Sequence, residues 1–324
     1  MTKKLIFLPL IGLMLSSCGD KPLNEIKVIT PSGAPALAFY NQGLNPNLTI
    51  DSTPTNVAAQ LQKNEYDVVI FDSINGLKSL KKNNNTNYAL GRIITGGNFF
   101  LVGINKETDS ETGKIPMPKE GDKIVSFGEK LIPDLVYNKL ASDYWHIDNK
   151  PTYLNSVSDT RAVLTTGKYG ADTIDYVFTA EPVLTTIMNK KDAETYGKIQ
   201  IVSNIKEDWK ALTGQDALSQ AGIFVKKDAL EAKKDEIKDF VEQLDKRLDN
   251  IVNHPEIVKA ELDMFGTTNE QASRFGFNSN VIYEIQKDNQ NKIGMVTKDQ
   301  KIDVNEFLKS LGQETFSADY FVDL

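Results

Sequence analysis

Two stretches of the sequence, NVAAQLQKNEYDVVIFDS (residues 56–73) and TRAVLTTGKYGADTIDYVFTAE (residues 160–181), share one order of patterns. Each begins with apolar residues at helical spacing and continues through a polar turn and an aspartate. Each then ends in a short apolar strand that leads into a polar loop. One such block can arise by chance, but two blocks in separate parts of the chain indicate two similar lobes.

Further strand-like runs precede each block, with helical patterns between them. The six runs are residues 25–30, 47–52, 66–71, 122–127, 151–156 and 175–180. Alternation of strands with helices is typical of a parallel sheet that is covered by helices. The predicted fold class is therefore α/β, with two similar parallel-sheet lobes.

Two other apolar runs, FFLVGINK (99–106) and QAGIFVKK (220–227), are the expected crossover segments between the lobes. We therefore predict that lobe 1 consists of residues 25–104 and 220–324. Lobe 2 then consists of residues 105–219 with the crossover segments. Residues 204–219 are expected to form a loop.

Composition limits the function classes. Hydrophobic residues make up 40% of the chain and charged residues 25%, as in ordinary globular proteins. The formal net charge of −7 argues against a nucleic-acid partner, which requires a basic face. The two histidines, His146 and His254, are far apart, so we expect no transition-metal site. No phosphate-binding glycine motif occurs, and no cofactor is predicted.

The chain begins with the pattern of an exported protein. Lys3 and Lys4 precede the apolar run from Leu5 to Leu15, which is too short to cross a bilayer and is typical of a secretion signal. LSSC (15–18) resembles the lipobox of bacterial lipoproteins, which implies that Cys18, the only cysteine, carries lipid and becomes the first mature residue. Residues 1–17 are then the signal peptide and 18–24 a tether.

Three motifs carry a wider resemblance: SGAPALAFY (32–40), FTAEPVL (178–184) and NHPEIVKAELDMFG (253–266). With the lipoprotein-like start and the two lobes, they resemble extracellular solute-binding proteins of ABC importers. The match is to the type II fold and to its nitrate, sulfonate and thiamine-precursor-like group. The resemblance implies a ligand cleft between lobes that close on a hinge. It also implies a monomer, held on the outer face of the cell membrane by lipidated Cys18, that delivers a small solute to an ABC permease.

Candidate ligand residues follow from the rule that ligands bind beyond the carboxyl ends of parallel strands. They lie on six loops and beside the first crossover, and they are Ser32, Gly33, Ala34, Thr53, Asp72, Ser73, Gly97, Asn98, Ser126, Phe127, Asn155, Ser156, Arg161, Thr179 and Glu181.

The charge of the ligand is open at this point. Asp72 and Glu181 together would favour a cationic or amine-bearing ligand, whereas Arg161 could clamp a carboxylate or phosphate. Structural alternatives compete with each role. Ser32 and Asp72 are suited to helix capping, Phe127 to the core, and Arg161 to an ion pair. The sequence has neither a basic cluster expected for sulfonate or nitrate nor the aromatic-rich motif of thiamine-precursor binders.

An enzyme or a ligand sensor on the same two-lobe fold is the alternative function. No GxSxG motif occurs, neither histidine lies on a predicted ligand loop, and Cys18 is assigned to lipidation. Hydrolysis by a carboxylate pair, Asp72 and Glu181, stays open. We predict a binding protein and not an enzyme.

Lipidation of Cys18 is directly testable. The wild-type protein is expected to enter the detergent phase in a two-phase extraction, and Cys18→Ala is expected to stay in the aqueous phase. A correctly secreted wild-type protein that remains in the aqueous phase would contradict the lipid anchor.

Overall fold

The computed structural model describes residues 25–84, 87–189, 198–288, 291–300 and 302–324. The predicted signal peptide, the lipidation site Cys18 and the tether lie outside the described residues. Within these ranges, no helix is both long and apolar enough to cross a membrane.

The strands form two five-stranded sheets and one short hairpin. In chain order they are β1 (Val28–Pro31), β2 (Leu48–Asp51), β3 (Val68–Asp72), β4 (Tyr88–Thr95), β5 (Phe99–Ile104), β6 (Ile124–Phe127), β7 (Thr152–Leu154), β8 (Lys168–Tyr169), β9 (Asp172–Thr173), β10 (Tyr176–Ala180), β11 (Ile199–Asn204) and β12 (Ala221–Lys226).

Helices cover both sheets and form most of the C-terminal region. The α-helices are α1 (Ala34–Leu37), α2 (Pro54–Lys63), α3 (Ser73–Lys82), α4 (Ile132–Leu140), α5 (Thr160–Thr166), α6 (Val183–Met188), α7 (Ile205–Thr213), α8 (Lys227–Ala232), α9 (Lys234–Asn253), α10 (Pro255–Phe265), α11 (Thr268–Phe275), α12 (Ser279–Gln286) and α13 (Val304–Ser310). A π-helical turn covers Ala141–Trp145, and 3₁₀ turns cover Val157–Asp159 and Ala318–Tyr320.

The two sheets have the same strand arrangement. The first has the order β2-β1-β3-β12-β4 and the second the order β7-β6-β10-β5-β11. In each sheet the first three strands are parallel, and the fourth runs antiparallel to both of its neighbours. Two mainly parallel sheets with helices confirm the predicted α/β fold class.

One predicted boundary is wrong. Residues 99–104 were assigned to lobe 1, but β5 pairs with β10 and β11 inside the second sheet. The chain therefore crosses between the sheets over Gly96, Gly97 and Asn98, before the apolar run and not along it. The apolar run is buried because it is a central strand with a neighbour on each side.

A second prediction also fails, because residues 205–213 form helix α7 where a loop was expected. The Asn204 side chain accepts a hydrogen bond from the Lys206 N–H at the helix start, and Gly214 ends the helix in the left-handed conformation. Trp209 is fully buried and packs edge-on against Phe307 at 5.2 Å. The cap and the terminal glycine were the available sequence signals for this helix.

The buried faces of the first sheet follow from strand geometry. In β3, Val68 and Ile70 point into a core formed with α1, α9, α10 and α12, while Val69 points to the opposite core. Since successive side chains alternate between faces, a strand covered on both sides is apolar throughout. The α3 helix covers the second face, where Gly76 approaches the Phe224 ring of β12.

The contact of Gly76 with Phe224 gives a stability prediction. A Cβ atom at position 76 would stand 2.2 Å from Cζ of Phe224. Alanine is about 1 kcal/mol better than glycine in a helix interior, but overpacking costs about 1–3 kcal/mol. We expect Gly76→Ala to lower the free energy of unfolding by about 1–2 kcal/mol in urea denaturation. The exposed α3 variant Lys82→Ala should change it by less than about 0.5 kcal/mol. A Gly76→Ala protein more stable than wild type would contradict this packing.

Candidate functional site

A cavity of about 260 Å³ lies between the two sheets, at the carboxyl ends of their strands. Its lining residues come from both lobes and from the two crossings, the second of which is residues 214–220, between α7 and β12, since most of the predicted crossover 220–227 is strand β12 of the first sheet. They are Pro31, Ser32, Gly33, Ala34, Pro35, Phe71, Asp72, Thr95, Asn98, Phe99, Phe127, Leu131, Ile132, Pro133, Val157, Ala180, Glu181, Pro182, Gln220 and Ala221. This position is where open parallel sheets bind ligands.

Aromatic side chains form much of the cavity wall. Phe99 and Phe127 meet edge to face with ring centroids 5.9 Å apart, and Phe178 packs against both rings. Phe71 contributes from the first lobe. The alternative assignment of Phe127 to the core also holds, because this ring is buried and lines the cavity at the same time.

Asp72 ends β3 and caps helix α3. Its Oδ1 accepts hydrogen bonds from the backbone N–H of Asn75 at 2.8 Å and from the Asn75 side chain at 3.0 Å. Removal from water raises the pKa of the Asp72 carboxyl to about 6, and the hydrogen bonds with Asn75 and the charge of Lys78 oppose that rise. Both predicted roles are compatible, since the carboxyl caps a helix and lines the cavity.

Glu181 directly follows β10 and is buried, with 3% of its surface exposed. Its carboxylate accepts from the backbone N–H of Thr185 at 2.9 Å and from the Thr185 hydroxyl at 2.7 Å, across the first turn of α6. Desolvation raises the pKa of Glu181, against the Thr185 hydrogen bonds and the charge of Lys292. The Glu181–Pro182 peptide bond is cis.

Asn98 connects the two crossings to this loop. The side-chain Nδ2 of Asn98 donates to the backbone carbonyl of Glu181 at 2.8 Å, and the backbone carbonyl of Asn98 accepts from the Glu181 N–H at 2.9 Å. Nε2 of Gln220 donates to the Asn98 Oδ1 at 2.9 Å. The first crossing, the second crossing and the second lobe are therefore joined through one buried amide.

The structure brings seven of the sequence-predicted site residues to the cavity. They are Ser32, Gly33, Ala34, Asp72, Asn98, Phe127 and Glu181. Gly33 has φ +91°, which favours glycine, and no atom lies within 4 Å of the place a Cβ would take. Ser32 is not the N-cap of α1, because Gly33 occupies that position and no side chain caps the helix.

Three other predicted residues, Ser73, Ser126 and Thr179, are buried and do not line the cavity, and two of them hydrogen-bond within the fold. The Ser73 hydroxyl donates to the Ser219 carbonyl at 2.8 Å. The Thr179 and Thr160 hydroxyls are 2.7 Å apart and fully buried. The Ser126 side chain is buried without a hydrogen-bond partner. Their ligand role stays a prediction that the cavity lining does not support.

The remaining predicted residues also lie outside the lining set. Thr53 precedes α2 and is exposed, and Ser156 forms a capping box with Asp159. Gly97 packs its backbone against the Lys206 side chain. Asn155 and Arg161 are exposed. Binding by these residues likewise stays a prediction.

Sequence reasoning missed several lining residues because it ended the candidate loops too early. The predicted ligand loop after β6 ends at Glu129, whereas Leu131, Ile132 and Pro133 at the start of α4 also reach the cavity. Gln220 was assigned only to a crossover. Apolar residues such as Phe71 and Phe99 have no polar signature that separates a binding wall from a core.

Asp72 and Glu181 are the potential metal ligands among the cavity-lining residues. No group of three or more His, Cys, Asp or Glu side chains in the described part of the chain is placed to hold a metal ion. His146 and His254 do not line the cavity. The cavity instead offers an apolar wall with two carboxylates and two side-chain amides, which is an arrangement suited to binding.

The raised pKa of Asp72 predicts a pH-dependent stability difference. The folded-state pKa of about 6 lies above the ordinary value of 3.8, so ionisation of Asp72 costs folded-state stability as pH rises from about 4 to about 6. Two pKa units correspond to about 3 kcal/mol. Since Asp72 is only half-buried, we expect Asp72→Asn, which keeps a capping oxygen, to be about 1–2 kcal/mol more stable than wild type at pH 7.5. Denaturant titrations should show this gain disappear at pH 4, and a gain that persists at pH 4 would contradict the assignment.

Comparison with known proteins gives no match to a family model and no match among curated proteins. Solved structures do match. A ligand-binding component of an ABC-type import system from Staphylococcus aureus, solved with zinc bound, has TM-score 0.64 and 13% identity, and the match covers 92% of this chain and 96% of that one. An ABC transporter protein from Parabacteroides distasonis has TM-score 0.60 and 16% identity, with 92% and 98% covered. The periplasmic aliphatic sulphonate-binding protein of Escherichia coli has TM-score 0.59 and 10% identity, with 88% of each chain covered. The resemblance found in the sequence is thereby confirmed at the level of the fold: this chain has the two-lobed periplasmic-binding-protein fold of ABC-importer solute-binding components.

Proposed function

We propose that this protein captures a small solute in the cavity between its lobes and delivers it to an ABC permease. The observation that supports this most is the cavity itself, which both lobes and both crossings build at the carboxyl ends of two sheets. Its volume of about 260 Å³ lies near the lower end of ligand pockets, which span roughly 300–1,000 Å³. A small molecule fits this space better than a peptide.

The two crossings form the hinge in this proposal. They run side by side, since the Gln220 N–H donates to the Thr95 carbonyl and the Leu218 N–H donates to the Gly96 carbonyl. The segment around Gly294 packs beside the first crossing, because the Gly96 N–H donates to the Gly294 carbonyl at 2.7 Å. A few backbone positions of this kind can absorb the rotation by which two lobes close on a ligand.

We also propose the location predicted from the sequence. Lipidated Cys18 holds the mature chain on the outer face of the cell membrane, and residues 18–24 tether a monomeric body to it. The lipobox-like LSSC motif and the preceding apolar run support this proposal. The alternative of an enzyme on this fold is less favoured, because Asp72 and Glu181 each hydrogen-bond to a backbone N–H at a helix start, whereas a sensor would use the same cavity.

The binding proposal predicts a matched pair of leucine variants. Leu131 lines the cavity and is 41% exposed, whereas Leu44 is 84% exposed and does not line it. Fully burying a leucine contributes about 1.5–3 kcal/mol, and a ligand can cover at most the exposed 41% of Leu131, which is about 0.6–1.2 kcal/mol. We expect Leu131→Ala to weaken the affinity for the native solute about threefold to eightfold, and Leu44→Ala to leave it unchanged.

Native mass spectrometry of protein purified gently from its own cells identifies the solute for this test. Native mass spectrometry then shows whether Leu131→Ala and Leu44→Ala carry the same solute, and titration calorimetry measures the affinity of each variant for it. A solute that binds Leu131→Ala as tightly as Leu44→Ala would place the site elsewhere. Protein that never carries a solute from the cell and responds to no added compound would refute the binding proposal.

A further inference from the structure

We infer that the cavity selects an amine-bearing organic solute with an apolar body, and that it rejects oxyanions such as sulfonates. This inference rests on the proposed binding function and names the chemical class of its ligand. Four features of the cavity support it: the chemistry of the helix starts that surround it, the charge of its lining, the orientation of one buried amide and the apolar wall.

Helix starts are the usual backbone device for binding an anion, because their free N–H groups point along the helix dipole. Here two helices start at the cavity beside a carboxylate. Asp72 accepts from the Asn75 N–H at the start of α3, and Glu181 accepts from the Thr185 N–H in α6. A bound oxyanion would have to stand beside these fixed negative charges.

Proline removes further donors from the same positions. Pro35 lies in the first turn of α1, Pro133 in the first turn of α4, and Pro182 is the residue before α6. Proline has no backbone N–H. In α4 a carboxylate is also present, since Asp134 accepts from the Lys130 N–H at 2.7 Å. All four helix starts at the cavity therefore carry a proline, an acid or both.

The charged side chains of the cavity lining also disfavour an anion. Among the described residues that line the cavity, Asp72 and Glu181 are charged and none is Lys, Arg or His. Lys78 and Lys292 act on the two carboxyls from outside the lining set. Arg161, the cation expected at this site, is exposed and does not line the cavity. A partly desolvated space strengthens the repulsion between an anion and these carboxylates.

The Gln220 amide, in a residue that lines the cavity, leaves one hydrogen-bond acceptor unpaired. The Glu181 carbonyl can only accept, so Nδ2 of Asn98 must face it and Oδ1 of Asn98 must face Gln220. Gln220 therefore donates through Nε2 to Asn98, and its Oε1 is the remaining atom. This Oε1 is buried without a hydrogen-bond partner. A donor group on the solute would satisfy it.

The apolar wall supplies the other half of the selectivity. Phe71, Phe99 and Phe127 surround the same space as the two carboxylates. Aromatic faces attract cations, and their surface stabilises an apolar body by burial. An aromatic or aliphatic amine presents both a hydrogen-bond donor for the polar groups of this lining and an apolar surface for its aromatic wall.

The test uses three probes with one ring and different head groups: benzylammonium, benzyl alcohol and benzenesulfonate. Thermal shift at millimolar concentrations and titration calorimetry report binding to the full mature protein. We expect benzylammonium to raise Tm in a concentration-dependent way, benzyl alcohol to do so less, and benzenesulfonate to have no effect.

Matched variants assign the recognition to named atoms. Asp72→Asn should weaken benzylammonium binding about tenfold or more. Asp303→Asn is the control, because Asp303 also caps a helix, accepting from the Glu306 N–H at 3.0 Å, and does not line the cavity. Gln220→Leu should also weaken benzylammonium binding. The Asp72→Asn and Gln220→Leu proteins should both keep a cooperative unfolding transition.

Each outcome decides the matter. Benzenesulfonate that stabilises the protein as much as benzylammonium, or a sulfonate response that Arg161→Ala abolishes, would overturn the ligand class and leave the binding function intact. Equal benzylammonium affinity in Asp72→Asn and wild type would overturn the role of the carboxylate. No response to any probe, together with no solute retained from the cell, would refute both the ligand class and the binding function.

Discussion

The buried side chain of Asn98 makes the contact on which the arrangement of the two lobes depends. Asn98 lies where the chain leaves the first sheet. Its side chain hydrogen-bonds to Gln220, which lies where the chain returns to that sheet, and to the Glu181 carbonyl in the second lobe. Each of its two side-chain polar atoms has one partner of opposite character, so the amide has one satisfied orientation. Because Gln220 and Glu181 also line the cavity, the spacing of the crossings and the shape of the site are set together.

The same double use applies to the helix caps. Asp72 stabilises the start of α3 and gives the cavity a carboxylate, and Glu181 does the same for α6. Capping and ligand binding are therefore not competing explanations of these residues. A carboxylate can accept about four hydrogen bonds, and a cap uses only part of that capacity.

Much of the fold was predictable because it depends on local periodicity. The six predicted strands and the likeness of the two lobes follow from apolar spacing, which depends on neighbouring residues in the sequence. The position of β5 was not predictable in this way, since the antiparallel pairing of residues 99–104 with β10 depends on contacts distant in sequence. The site divides similarly. Loops after strands located Asp72 and Glu181, whereas Leu131 and Gln220 reach the cavity only through the packing of α4 and of the crossings.

The strand order also determines when each half of the molecule can be completed during synthesis. In the first sheet β4 pairs along its length with β12, and β12 follows all five strands of the second sheet in the chain. Residues 99–204 supply the second sheet as one continuous stretch. Because the N-terminal part of the chain becomes available first, the first sheet keeps an unpaired β4 until β12 follows, whereas the second sheet has all its strands in one stretch. Until β12 is available, that open edge is the surface by which an incomplete chain can pair wrongly.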